Sequence, residues 1–140
     1  MSLPELLQTH TPIAADLAEF RFMGAEPMDD GGVWTTVRLI IWQGEGEDRA
    51  ILDIKEQSLP WSPKELADPR LAAFIAGWAA ALGEVFAAIS AAGDASTLDP
   101  FLPSDLLSPD VLRLARPRSA DDFCDALLQP RRLGELLPAQ

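Results

Sequence analysis

The chain has one cysteine, Cys124, one histidine, His10, two lysines, and no tyrosine or asparagine. A single cysteine rules out an internal disulfide, and with a single histidine it cannot complete a zinc site of the Cys/His kind. The sequence also lacks a phosphate-cradling glycine loop, a Ser/His/Asp arrangement and a dinucleotide fingerprint, so no cofactor is expected. The first thirty residues have no basic start, continuous apolar run or small-residue cleavage site. Pro4, Glu5, Pro12, Asp16 and Glu19 interrupt them, which sets the expectation of a cytoplasmic protein. Lys, Asn and Tyr have A/T-rich codons, and their scarcity beside abundant Ala, Leu, Pro and Arg fits a GC-rich bacterial genome.

Positive charge is also scarce: 11 basic against 22 acidic side chains give a formal net charge of −11. Residues 1–105 carry 6 basic and 17 acidic side chains, whereas residues 106–140 carry five of each. An acidic body repels polyanions, which argues against nucleic acid and against anionic membrane surfaces as partners. Arg113, Arg116, Arg118, Arg131 and Arg132 are the one basic concentration. Arginine suits paired recognition of carboxylates, and the acidic body supplies these.

The 140 residues suit one domain, and a domain of this size can bury roughly two-thirds of its unfolded surface. The expected architecture is α+β: a three-stranded antiparallel sheet packed by one long helix, with a short N-terminal helix and several short C-terminal helices. Residues 3–9 read as the first helix, with Ser2 as its cap and Pro4 in its first turn. Residues 17–57 read as a β-meander. In it Phe20 and Phe22 alternate with Glu19, Arg21 and Met23, and Asp29-Asp30-Gly31-Gly32 forms a turn. Residues 33–42 form the strongest strand, apolar on both faces as in a central strand, and residues 49–56 return with Ala50, Leu52 and Ile54 on one face.

Residues 63–92 are expected to form the long helix, its start marked by Ser62-Pro63-Lys64-Glu65 and again by Asp68-Pro69. Leu71, Phe74, Ile75, Trp78, Leu82, Val85, Phe86 and Ile89 form a bulky stripe at helical spacing that should face the sheet. The opposite side carries Ala72, Ala73, Ala76, Gly77, Ala79, Ala80, Ala81, Gly83, Ala87 and Ala88, with Glu84 as the one charge between Leu71 and Ile89. A helix apolar on all sides is normally covered on all sides, and small side chains let a second backbone come close. The stretch is also long enough to be weighed as a membrane span, but two unlike stripes fit two protein neighbours better than uniform lipid. Residues 94–140 form a proline-segmented helical tail, with short helices expected at 109–115, 119–128 and 131–137.

No cluster of side chains specifies a reaction. His10 has no evident partner at the end of the first helix, and Cys124 lies among acidic residues that make a thiol inert. Asp121, Asp122 and Asp125 read as an acidic first helical turn, and Glu45, Glu47 and Asp48 as a solvated turn. Asp94–Asp105 has the length of a calcium loop but lacks its glycine and its final glutamate. The four tryptophans are expected in the core. These features point to a non-catalytic protein-interaction module, a small acidic bacterial accessory factor of the chaperone, immunity or antitoxin type that forms a homodimer. Its contact residues would be Ala73, Ala76, Gly77, Ala80, Gly83, Ala87, Arg131 and Arg132, against another protein or a twin copy. The alternative is a small-molecule-binding protein or enzyme with a pocket between sheet and helix, using carboxylates such as Asp53 or Glu84.

Overall fold

The computed structural model describes residues 2–107. The helices expected at 109–115, 119–128 and 131–137 lie outside them, as do Arg131, Arg132, Cys124 and the Asp121, Asp122, Asp125 group. The described chain is α+β, with helix α1 (Leu3–His10), strands β1 (Ile13–Ala14), β2 (Ala18–Pro27), β3 (Val33–Gln43) and β4 (Ala50–Trp61), and helices α2 (Pro63–Leu66), α3 (Leu71–Ala92) and α4 (Pro103–Leu106). The Ser2 hydroxyl accepts from Glu5 N–H at the start of α1, and Leu3, Leu6 and Leu7 form its buried side.

The sheet has four strands rather than three, all antiparallel, in the order β1-β2-β3-β4. The additional strand, β1, pairs Ile13 with Phe20 and Ala14 with Glu19. Two residues are too few to show a period of two, so alternation along the chain carries no sign of this strand. In β3, Thr35, Val37, Leu39 and Ile41 are buried, and they pair with or lie beside Phe20, Phe22 and Leu59 on the same face.

The return strand does not keep Ala50, Leu52 and Ile54 on one face, because the register shift puts Ala50, opposite Gln43, and Ile54, opposite Ile40, on different sides. Ile54 pairs with Ile40, and Ile40 points away from the core side of β3, so Ile54 points outward too. Asp53, Lys55 and Gln57 take the inward positions opposite Ile41, Leu39 and Val37. A bulge between Ile41 and Trp42 shifts the register near Leu52. The inward polar groups have partners in the chain that follows α3. Lys55 Nζ donates to the carbonyls of Asp99 and Phe101, and Gln57 Oε1 accepts from Ser104 N–H at 2.9 Å.

The helix expected over 63–92 is divided in two. Ser62 and Glu65 form a reciprocal cap on α2. Pro69 disfavours helical geometry at Asp68, and α3 begins at Leu71. It ends at Gly93, whose φ of +81° is a left-handed conformation that glycine adopts without strain. The bulky stripe of α3 lies on the sheet: Trp78 meets Phe20 edge to face at 5.2 Å, and Leu17 N–H donates to Ser90 Oγ. Helix α1 packs against α3 on one flank. On the other side of the layer, a 3-10 turn at Ser96–Leu98 and α4 cover the inner face of β3 and β4. Trp78 Nε1 donates to Leu106 O at 2.9 Å and ties α3 to that segment.

Candidate interaction surface

The outer side of α3 is narrower than the run of small residues implies. At about 100° per residue, Ala79 falls beside Ile75, Leu82 and Phe86, and Ala81 beside Phe74, Trp78 and Val85. Both are buried, which corrects their placement on the outer side. Of the six contact positions expected on this helix, Ala73, Ala76, Ala80 and Ala87 are exposed, while Gly77 and Gly83 are half-buried. Gly83 lies against Ile13, 3.8 Å from the point where its own Cβ would stand. Ala72, Ala88 and Glu84 complete the exposed strip. By length and composition α3 could cross a membrane, yet its bulky stripe forms the core of this fold.

A second apolar surface lies on the face of the sheet turned away from the helices. Along β3 the outward residues are Trp34, Thr36, Arg38, Ile40 and Trp42. On β4 they pair with Pro60, Ser58, Glu56, Ile54 and Ile51, and on β2 Trp34, Thr36, Arg38 and Ile40 pair with Glu26, Gly24, Arg21 and Glu19. Trp34 is 42% exposed, Ile54 49% and Ile51 55%, while Ile40 and Trp42 are half-buried between them. Of the four tryptophans, then, Trp61 and Trp78 are in the core, Trp42 is half-buried and packs against it from an outward register position, and Trp34 is exposed on this open face. The pattern of β3, apolar at both odd and even positions, is the signal for this surface. It identifies a central strand correctly, but it does not reveal that the described residues cover only one of the two faces.

Charges on the open face are paired. Arg38 Nη2 and Nε both donate to Glu56 Oε2, at 2.7 and 3.1 Å. Arg21 Nη2 lies 3.0 Å from Glu19 Oε1. The Arg49 guanidinium stacks 4.2 Å from the centre of the Trp42 ring and also donates to Asp16 O. With Glu26 the outward rows hold two arginines and three glutamates. They thus take two of the 6 basic but only three of the 17 acidic side chains of residues 1–105.

The carboxylates considered as catalytic or metal-binding are used locally. Hydrogen bonds from the Ser96 side chain, and then from its backbone N–H, hold the Asp94 carboxyl below the ordinary range, and Asp105 accepts from Leu102 N–H. Asp53 accepts from Ile54 N–H at the sheet margin, and Glu84 is exposed on α3. Between the layers, Phe20, Leu39, Ile75, Trp78 and Leu82 are fully buried. A shallow depression of about 280 Å³ is lined by Pro4, Glu5, Gln8 and Thr9 on α1. His10 is half-buried at the end of α1, and no group of three potential metal ligands occurs among the described residues. No protein-family model, curated protein or solved structure matches the chain.

Proposed function

We propose that the chain is a non-catalytic protein-interaction module, a small acidic bacterial accessory factor of the chaperone, immunity or antitoxin type acting in the cytoplasm. The observation that carries this reading is the apolar outer surface of the sheet. An antiparallel sheet with one face in water normally alternates apolar inward with polar outward. Here Ile40, Trp42, Ile51 and Ile54 form a contiguous outward cluster through direct cross-strand pairing, with Trp34 further along the same face. Scattered exposed apolar residues are ordinary, but joined ones mark a contact surface. The exposed alanines of α3 offer a second surface, on which a partner backbone could come close.

The test is affinity capture from host extract with the full chain, alongside Ile54→Asp on the sheet and Ala80→Arg on α3. The expected result is a discrete host protein retained by the wild type and lost from at least one variant. Identical recovery with all three baits would refute the reading.

A further inference from the structure

We propose that the open face of the sheet joins two copies of this chain, packed face to face about a two-fold axis running along β3. This rests on the reading of the chain as an interaction module and identifies one partner as a twin. Cross-strand register supplies the geometry. The outward rows, read from β2 through β3 to β4, are Glu26, Trp34, Pro60; Gly24, Thr36, Ser58; Arg21, Arg38, Glu56; and Glu19, Ile40, Ile54, with Trp42 and Ile51 as the final pair. An axis along β3 keeps each row and exchanges the outer columns, as a self-complementary contact requires. Trp34, Thr36, Arg38, Ile40 and Trp42, the outward residues of β3, then meet their own images, each Arg38 being held by Glu56 of its own chain. Arg21 comes to lie over Glu56 of the partner subunit, adding a second cation to the one Arg38 already provides within the chain.

Charge selects the twin over other occupants. Residues 1–105 carry 17 acids against 6 bases, so two copies repel each other over most of their surface. The open face is nearly balanced, with Glu19, Glu26 and Glu56 against Arg21 and Arg38. A basic partner would be drawn to the acidic remainder of the molecule instead. Three strands about 4.8 Å apart and five rows about 6.8 Å apart give a patch of about 15 by 30 Å. With side-chain relief this approaches the roughly 600 Å² per partner at the lower end of specific interfaces. A reversible dimer in the micromolar range is therefore expected.

The test is sedimentation equilibrium of the full chain with single and paired substitutions. The wild type is expected to dimerise with concentration, and Ile54→Asp or Arg21→Glu should each raise the dissociation constant at least about tenfold. Combining Arg21→Glu with Glu56→Arg should restore association, because the two charges exchange places. Circular dichroism melts check that each variant folds, and Ile51→Asp replaces Ile54→Asp if the latter does not. A wild type that stays monomeric into the hundred-micromolar range overturns the proposal. So does a dimer that survives Ile54→Asp but dissolves with Ala80→Arg, or a charge exchange that fails to restore association. A monomer that still captures a host protein through either surface leaves the module reading standing and removes only the twin.

Discussion

Thr35 shows how a single polar residue is accommodated in the core. It is fully buried, its hydroxyl accepts from Trp61 Nε1 at 2.8 Å, and it donates to Leu59 O at 3.3 Å. Thr35→Val keeps the shape but leaves the indole N–H without an acceptor. A loss of about 1–3 kcal/mol is expected, measured by urea denaturation. Asp68 is a case where charge matters at the surface. Hydrogen bonds from the Arg70 side chain, and then from its backbone N–H, lower the Asp68 carboxyl from 3.8 to about 2. A lowered carboxyl stabilises the fold above its unfolded value and loses that contribution as pH falls through the folded one. The melting-temperature gap between wild type and Asp68→Asn should therefore be present at neutral pH, shrink below pH 3.8 and close near pH 2. Calorimetry across that window measures it, and a gap independent of pH would contradict the assignment.

At the scale of elements, α3 is defined by its two sides and by its ends. Its bulky stripe was legible in the sequence because leucine, phenylalanine and tryptophan recur at spacings of three and four. Its start was less legible, since two start signals lie six residues apart and the structure uses both, one for α2 and one for α3. Gly83 is a weak point within this helix. An added Cβ there would meet Ile13 Cγ2 at 3.8 Å, an ordinary contact, so helix propensity decides the outcome. Gly83→Ala is expected to stabilise the fold by about 0.5–1 kcal/mol, read as a shift in denaturation midpoint at constant slope. A destabilised variant would contradict the reading that the added methyl group is accommodated against Ile13. Strand β4 is the element the sequence misrepresented: alternation puts Ala50, Leu52 and Ile54 on one face, but the register shift against β3 separates Ala50 from Ile54, which points outward while Lys55 points inward.

For the molecule as a whole, the inner layer is continuous from α1 across α3 to α4, and Trp78 is its junction. Its ring packs on Phe20, and its N–H holds Leu106 O. Trp78→Phe should keep most of the packing but release that carbonyl. Residues 95–107 should then lose hydrogen-exchange protection well before β2 and β3 do, seen by mass spectrometry of the exchanged full chain. Uniform loss throughout the chain would mean that the two parts open as one unit. The outer surfaces form the other half of the picture. Among the described residues, a sheet covered on one side and an α3 strip of exposed alanines leave two apolar surfaces.

Taken alone, the amino-acid order determined everything local: the caps at Ser2 and Ser62, the left-handed stop at Gly93, the turn at residues 29–32, the long strand and the stripe of α3. These depend on neighbours within a few positions, where periodicity and backbone preference act directly. Tertiary structure alone decided which face of each element meets another. Pairing across strands fixed the outward position of Ile54, helix packing took Ala79 and Ala81 into the core, and the segment after α3 gave Lys55 and Gln57 their partners. The physical reason is that a strand or helix can offer apolar groups on two faces, and only contacts between residues distant in the chain determine which face is removed from water.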